Sequence, residues 1–104
     1  KKHKVLLFSV VSDKDYTEMI RQLCSYKWID EYIITGINNK RRLDIDLMKQ
    51  AFYENGSMVT VIEDIKSALN YAMKQKKALD GALICSGSLY LVGEIKKEIN
   101  LLTT

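Results

Sequence analysis

Short apolar runs alternate along this chain with stretches whose apolar positions recur every three or four residues. Four runs, Val5 to Val11, Tyr32 to Ile37, Met58 to Ile62 and Ala82 to Cys85, are rich in β-branched side chains and bounded by polar residues or glycine. Nearly continuous apolar runs of that length suit strands buried on both faces, as parallel sheets have them. Between the runs, Tyr16, Met19, Ile20 and Leu23 predict a first helix, and Ile45, Met48 and Phe52 a second. Ile65, Ala68, Leu69, Ala72 and Met73 predict a third, and Val92, Ile95 and Ile99 a fourth. Each set lines one side of a helix, leaving one apolar stripe to lay against a sheet.

The polar residues divide the chain at the same places. Asp15 followed by Glu18 resembles a capping box, Asp44 can cap the second helix and Gly56 ends it. Glu63-Asp64 brings negative charge to the positive end of the third helix, and no proline interrupts any element. Strict alternation of strand and helix implies right-handed crossovers with helices on both faces. The predicted fold is therefore α/β and Rossmann-like: a doubly wound, mainly parallel sheet of about four strands alternating with four helices. In the order three-two-one-four, strands one and four lie side by side, and the loops at their carboxyl ends frame a crevice.

Those two loops carry the candidate chemistry. Ser86-Gly87-Ser88 ends a strand and opens a helix, so the unpaired N–H groups of the helix start can meet a phosphate or carboxylate. Ser12-Asp13-Lys14-Asp15 opens the first helix in the same way. Ser88 is open to two readings, an anion contact or simply an N-cap. Lys14 either neutralises ligand charge across the cleft or is a solvated turn lysine, with Asp13 and Asp15 capping the helix and orienting it.

Length and composition fit one unit spanning 1–104, with 47% hydrophobic residues and no linker, repeat or low-complexity tract. With 16 basic and 13 acidic residues the net charge is +3, and the densest basic run, Lys40-Arg41-Arg42, is brief. A nucleic-acid partner is not expected, because such modules concentrate basic charge on one face. Cys24 and Cys85 read as small buried hydrophobes, since neither sits in a C-x-x-C pair or near a histidine. The only histidine, His3, falls in the charged stretch Lys1-Lys2-His3-Lys4 and reads as a frayed terminal position, so a general base is missing from the obvious place. No apolar run reaches the roughly 18 residues that a membrane helix needs. A soluble, cytoplasmic chain without a membrane partner is the expectation.

The stretch Leu7-Phe8-Ser9-Val10-Val11-Ser12-Asp13-Lys14-Asp15-Tyr16 resembles the strand-loop-helix opening of the C-terminal domain in folylpolyglutamate synthases and dihydrofolate synthases, a branch of the Mur ligase superfamily. Ser86-Gly87-Ser88-Leu89-Tyr90-Leu91-Val92-Gly93-Glu94 is similar to that family's closing signature. Ile34-Thr35-Gly36 to Leu43-Asp44 resembles its segment with an asparagine and an arginine before a helix, Arg41 matching the arginine, and Val61-Ile62-Glu63-Asp64 with Ala68 also fits. Two departures stand out: Ser9 replaces a usual glycine, and Lys40 replaces a frequent proline.

The resemblance implies an enzyme that uses ATP and Mg2+ to activate a folate or pteroate carboxylate as an acyl phosphate, which the amine of glutamate attacks to form an amide. It also implies a partner, the N-terminal catalytic domain of the same polypeptide. That domain carries the family's phosphate-binding loop, its magnesium ligands and its folate pocket, and no G-x-x-x-x-G-K-[ST] occurs in this sequence. On this reading Ser86, Gly87 and Ser88 face the glutamate. Asp13, Lys14, Asp15 and Arg41 face the interdomain cleft and its nucleotide. Tyr90 and Leu91 pack in the core or between domains, and Gly93 lets its helix approach the sheet. The isolated chain is expected to bind no cofactor and to be inactive. A rival reading is a small α/β regulatory or interaction module, for example a receiver-like phosphoacceptor, which needs an acidic cluster after strand one and an aspartate ending strand three. A free-standing nucleotide-binding domain is a third, but Ser9 to Asp15 contains no glycine.

Overall fold

The computed structural model describes residues 2–103, except for the side chains of Leu89, Tyr90 and residues 100–103. The packing expected of Tyr90 lies outside the described residues. Elements alternate as β1 (Lys4–Phe8), α1 (Tyr16–Ser25), β2 (Glu31–Ile34), α2 (Ile45–Glu54), β3 (Thr60–Val61), α3 (Ile65–Ala78), β4 (Ala82–Ser86) and α4 (Leu89–Thr103). All pairings are parallel in the order β3-β2-β1-β4. This is the predicted order, with the winding reversing at β1.

Alternation along β1 sorts the core into two layers. Leu6 and Phe8 join Ile20 of α1 and Met48, Ala51 and Phe52 of α2 on one face. Val5 and Leu7 join Ala68, Leu69 and Ala72 of α3 and Leu91 and Ile95 of α4 on the other. The first layer is centred on aromatic rings: Phe52 meets Phe8 edge-on at 5.7 Å between centroids and Tyr32 at 5.2 Å. Helices therefore cover both faces, as expected.

Strand limits differ from the apolar runs. The run Val5 to Val11 is a strand only as far as Phe8; Val11 instead forms an isolated antiparallel bridge with Arg42. Residues 9–11 are buried without being paired in the sheet, Val10 in one core layer and Val11 in the other. The run Tyr32 to Ile37 likewise leaves the sheet after Ile34, because the Thr35 Oγ1 and the Gly36 N–H both donate to the Glu63 carbonyl, at 3.2 and 3.1 Å. The run Met58 to Ile62 contributes only two strand residues, at the sheet edge, and Met58 is 89% exposed.

Helix ends follow their caps. Asp15, Asp44 and Asp64 each accept a backbone N–H as N-caps, from Glu18, Asp46 and Ser67. The capping box at α1 is only half formed, because the Glu18 carboxylate turns outward to Arg21. Hydrogen bonds from Ser67 hold the Asp64 carboxyl below its ordinary range. Gly56, just beyond the Asn55 C-cap, has the positive φ that the end of α2 requires. Of the positions predicted for the stripe of α4, Ile95 is buried, beside Leu91, whereas Val92 is half-buried and Ile99 is exposed, as is Met73 of α3. Gly93 is corrected too: it faces outward, and a β-carbon there would meet nothing within 4 Å.

His3 is anchored rather than frayed. Its carbonyl accepts the Ala82 N–H at 2.8 Å, and its Nε2 lies 3.1 Å from Glu31 Oε1. Tyr71 and Gln75 of α3 donate to the same carboxylate. This polar cluster stands at the amino-terminal edge of the sheet, away from the crevice. Among the described residues no helix is long and apolar enough to cross a membrane.

Candidate functional site

The carboxyl edge of the sheet gathers every sequence-predicted site residue. β1 and β4 end in step, with Phe8 opposite Ser86, so the loops after them leave the sheet side by side. Asp13, Lys14 and Asp15 lie on the first of these, and Gly87 and Ser88 on the second. Ser88 is 9% exposed and precedes α4, its carbonyl accepting the Val92 N–H at 3.2 Å. That is the N-cap position, so the first N–H groups of α4 are aimed at the rim.

Arg41 arrives from the loop after β2. This loop is zippered to the one after β1: Leu43 N–H donates to the Val10 carbonyl at 3.1 Å, and Ser12 N–H to the Arg41 carbonyl at 2.6 Å. Above this short ladder Arg41 Nη1 pairs with Asp13 Oδ2 at 2.7 Å. Both side chains are about half exposed, at 55% and 50%, so the pair contributes at most about 1 kcal/mol. The expected division of labour is thus corrected. Asp15 caps α1, while Asp13 orients Arg41 instead of Lys14. Lys14 is exposed, and among the described residues no carboxylate pairs with it.

One contact escaped the sequence. Glu94 of α4 accepts the Asn38 N–H at 3.2 Å, tying the helix after β4 to the loop after β2. Its signal was present in the helical spacing, since Glu94 follows the buried Leu91 by three residues and so leans toward the same side. A cleft of about 410 Å3 at the same edge of the sheet is lined by Gly36, Lys40, Arg42, Asp44 and Glu63 among others. Its walls are the loops after β2 and β3, not the Ser86–Ser88 turn.

Neither cysteine is set up as a nucleophile. Cys24 and Cys85 are half buried rather than fully buried, and burial pushes both thiols up, away from the reactive thiolate. β3 ends at Val61, and Asp64, three residues on, is held as the cap of α3 by the Ser67 N–H, so no aspartate ends the third strand as the receiver-like reading requires.

No protein-family model and no curated protein sequence matches this chain. Solved structures do. Folylpolyglutamate synthase from Thermotoga maritima superposes with a TM-score of 0.73 at 22% identity, over 92% of this chain and 21% of that one. Mycobacterium tuberculosis folylpolyglutamate synthase, solved with ADP and AMPPCP, superposes with a TM-score of 0.74 at 19% identity, over 92% of this chain and 23% of that one. The same enzyme complexed with ADP gives a TM-score of 0.69 at 18% identity. At these identities the likeness is one of fold, and this chain folds as one portion, 21–23% by length, of folylpolyglutamate synthases does.

Proposed function

We propose that the chain acts as the C-terminal domain of an ATP-dependent ligase of the folylpolyglutamate synthase or dihydrofolate synthase type, joining L-glutamate to a folate or pteroate carboxylate in the cytoplasm. The observation that carries this reading is the pairing of the β1 and β4 loops at one rim of a fold shared with those synthases. The N-terminal catalytic domain of the same polypeptide is the partner that faces this rim.

The residues present do not fit an ATP or Mg2+ site of their own. The sequence has no phosphate-binding glycine-lysine loop, and among the described residues no three His, Cys, Asp or Glu side chains could hold a metal ion. Both are therefore assigned to the partner domain, and the isolated chain is inactive on this reading. What this chain supplies is positioning. Ser86, Gly87 and Ser88, with the positive end of α4, receive a carboxylate of the incoming glutamate and hold its amine toward the activated acyl group. Lys14 and the Asp13–Arg41 pair border the nucleotide side, where two exposed cations can face phosphate charge.

Ser88→Ala in the complete polypeptide separates an anion contact from a mere cap. Loss of one charge-assisted hydrogen bond is expected to raise the glutamate KM by on the order of tenfold, with a smaller change in the ATP KM. Steady-state kinetics with each substrate varied in turn reads the difference. If thermal stability falls while the glutamate KM stays put, Ser88 is only a cap and the glutamate assignment fails.

A further inference from the structure

Ser9 is 1% exposed, and among the described residues its Oγ is a buried oxygen with no hydrogen-bond partner. An unpaired buried hydroxyl costs on the order of 1–3 kcal/mol, so an apolar residue here would make a more stable protein. The hydroxyl is not stranded at random. Phe8 and Val10, on either side of it, both pack into the α1/α2 layer, which turns the Ser9 side chain to the opposite face, the one covered by α3 and α4.

The backbone of Ser9 adjoins the Ser86–Ser88 turn. Phe8 stands opposite Ser86, and a β-carbon on Gly87 would lie 2.1 Å from the Ser9 carbonyl oxygen, so the two turns are in contact. The 15-residue helix α4 starts two residues beyond Gly87, bringing its unpaired N–H groups and partial positive charge to the same spot. A helix start and an unpartnered buried hydroxyl thus converge from two different strands.

We propose that Ser9 is a further ligand-binding residue of the crevice, its hydroxyl donating to an oxyanion, a carboxylate or a phosphate, seated at the amino end of α4. The inference rests on the reading that the Ser86–Ser88 turn receives an anion, and it adds a contact from β1 that this reading lacks. The hydroxyl then exchanges an unpaired state for a charge-assisted hydrogen bond, so stability is given up in the free protein and recovered on binding.

The test is a titration of the protein with L-glutamate and, separately, inorganic phosphate, following the amide NMR signals of Ser9, Gly87 and Ser88, alongside thermal melts of Ser9→Ala and Ser9→Gly. Saturable shifts with at least one anion are expected, weakened about fivefold or more in both variants, while Ser9→Ala melts no lower than wild type. Response to glutamate alone identifies a carboxylate ligand, and response to phosphate alone a phosphate. The proposal is overturned if neither anion produces saturable shifts, if the variants bind as wild type does, or if both variants fail to fold. A Ser9→Ala protein that melts lower with unchanged binding also overturns it, since the hydroxyl would then be structural. Weaker binding in Ser88→Ala but not in Ser9→Ala would remove Ser9 and leave the parent reading standing.

Discussion

Gly87→Ala is expected to destabilise the protein by about 3 kcal/mol or more. Two costs combine at this position. The backbone has φ 116°, a conformation that side chains other than glycine rarely adopt. The added β-carbon would also sit 2.1 Å from the Ser9 carbonyl oxygen and 2.9 Å from the Phe8 ring. A carbonyl at the end of a central strand cannot yield as a surface side chain would, so either the turn lifts off β1 or the strand end moves. Gly93→Ala is the internal control: it adds a methyl where nothing stands within 4 Å, inside a helix, and should stabilise by about 0.5–1 kcal/mol. Urea unfolding of the two variants beside wild type measures both. Equal stabilities for Gly87→Ala and wild type would mean that the two turns do not touch.

Phe52→Ala should cost about 3–5 kcal/mol. Phe52 is fully buried and lies between the Phe8 and Tyr32 rings, so truncation removes one side chain from an aromatic group that joins α2 to β1 and β2. The remaining rings are fixed on adjacent paired strands and cannot close the gap. Domains of this kind have only about 5–15 kcal/mol to lose, so the variant is expected to unfold at markedly lower urea or temperature. A loss under about 1 kcal/mol would show that the α1/α2 layer repacks freely.

The element types and strand order were legible because each level of the sequence pointed the same way. Apolar runs alternated with helical stripes, and aspartates stood at the starts of α1, α2 and α3. The strand limits were not legible, for a physical reason: burial and sheet pairing are different things. Val10, Val11 and Ile37 are as buried as the strands before them, yet their backbones bond to loops. Met58 erred in the other direction, an apolar residue on the approach to an edge strand with water on its outer side. The rim residues could be placed from topology alone, since strand order dictates which loops adjoin. Their partners could not. Asp13 reaches Arg41 between loops brought together by the Val10–Ser12 ladder with Arg41–Leu43, which no local spacing encodes, and Asn38 reaches Glu94 of α4 across 56 residues of sequence. His3 escaped for the same reason, its anchor being the register of β1 against β4.

The central proposal is most directly tested by incubating the complete polypeptide with ATP, Mg2+, radiolabelled L-glutamate and either dihydropteroate or reduced folate, and measuring label in the pterin product. The proposal predicts ATP-dependent incorporation through an amide bond with at least one acceptor, and none when ATP is omitted. Absence of labelled product with both acceptors, from polypeptide shown to be folded, would contradict it.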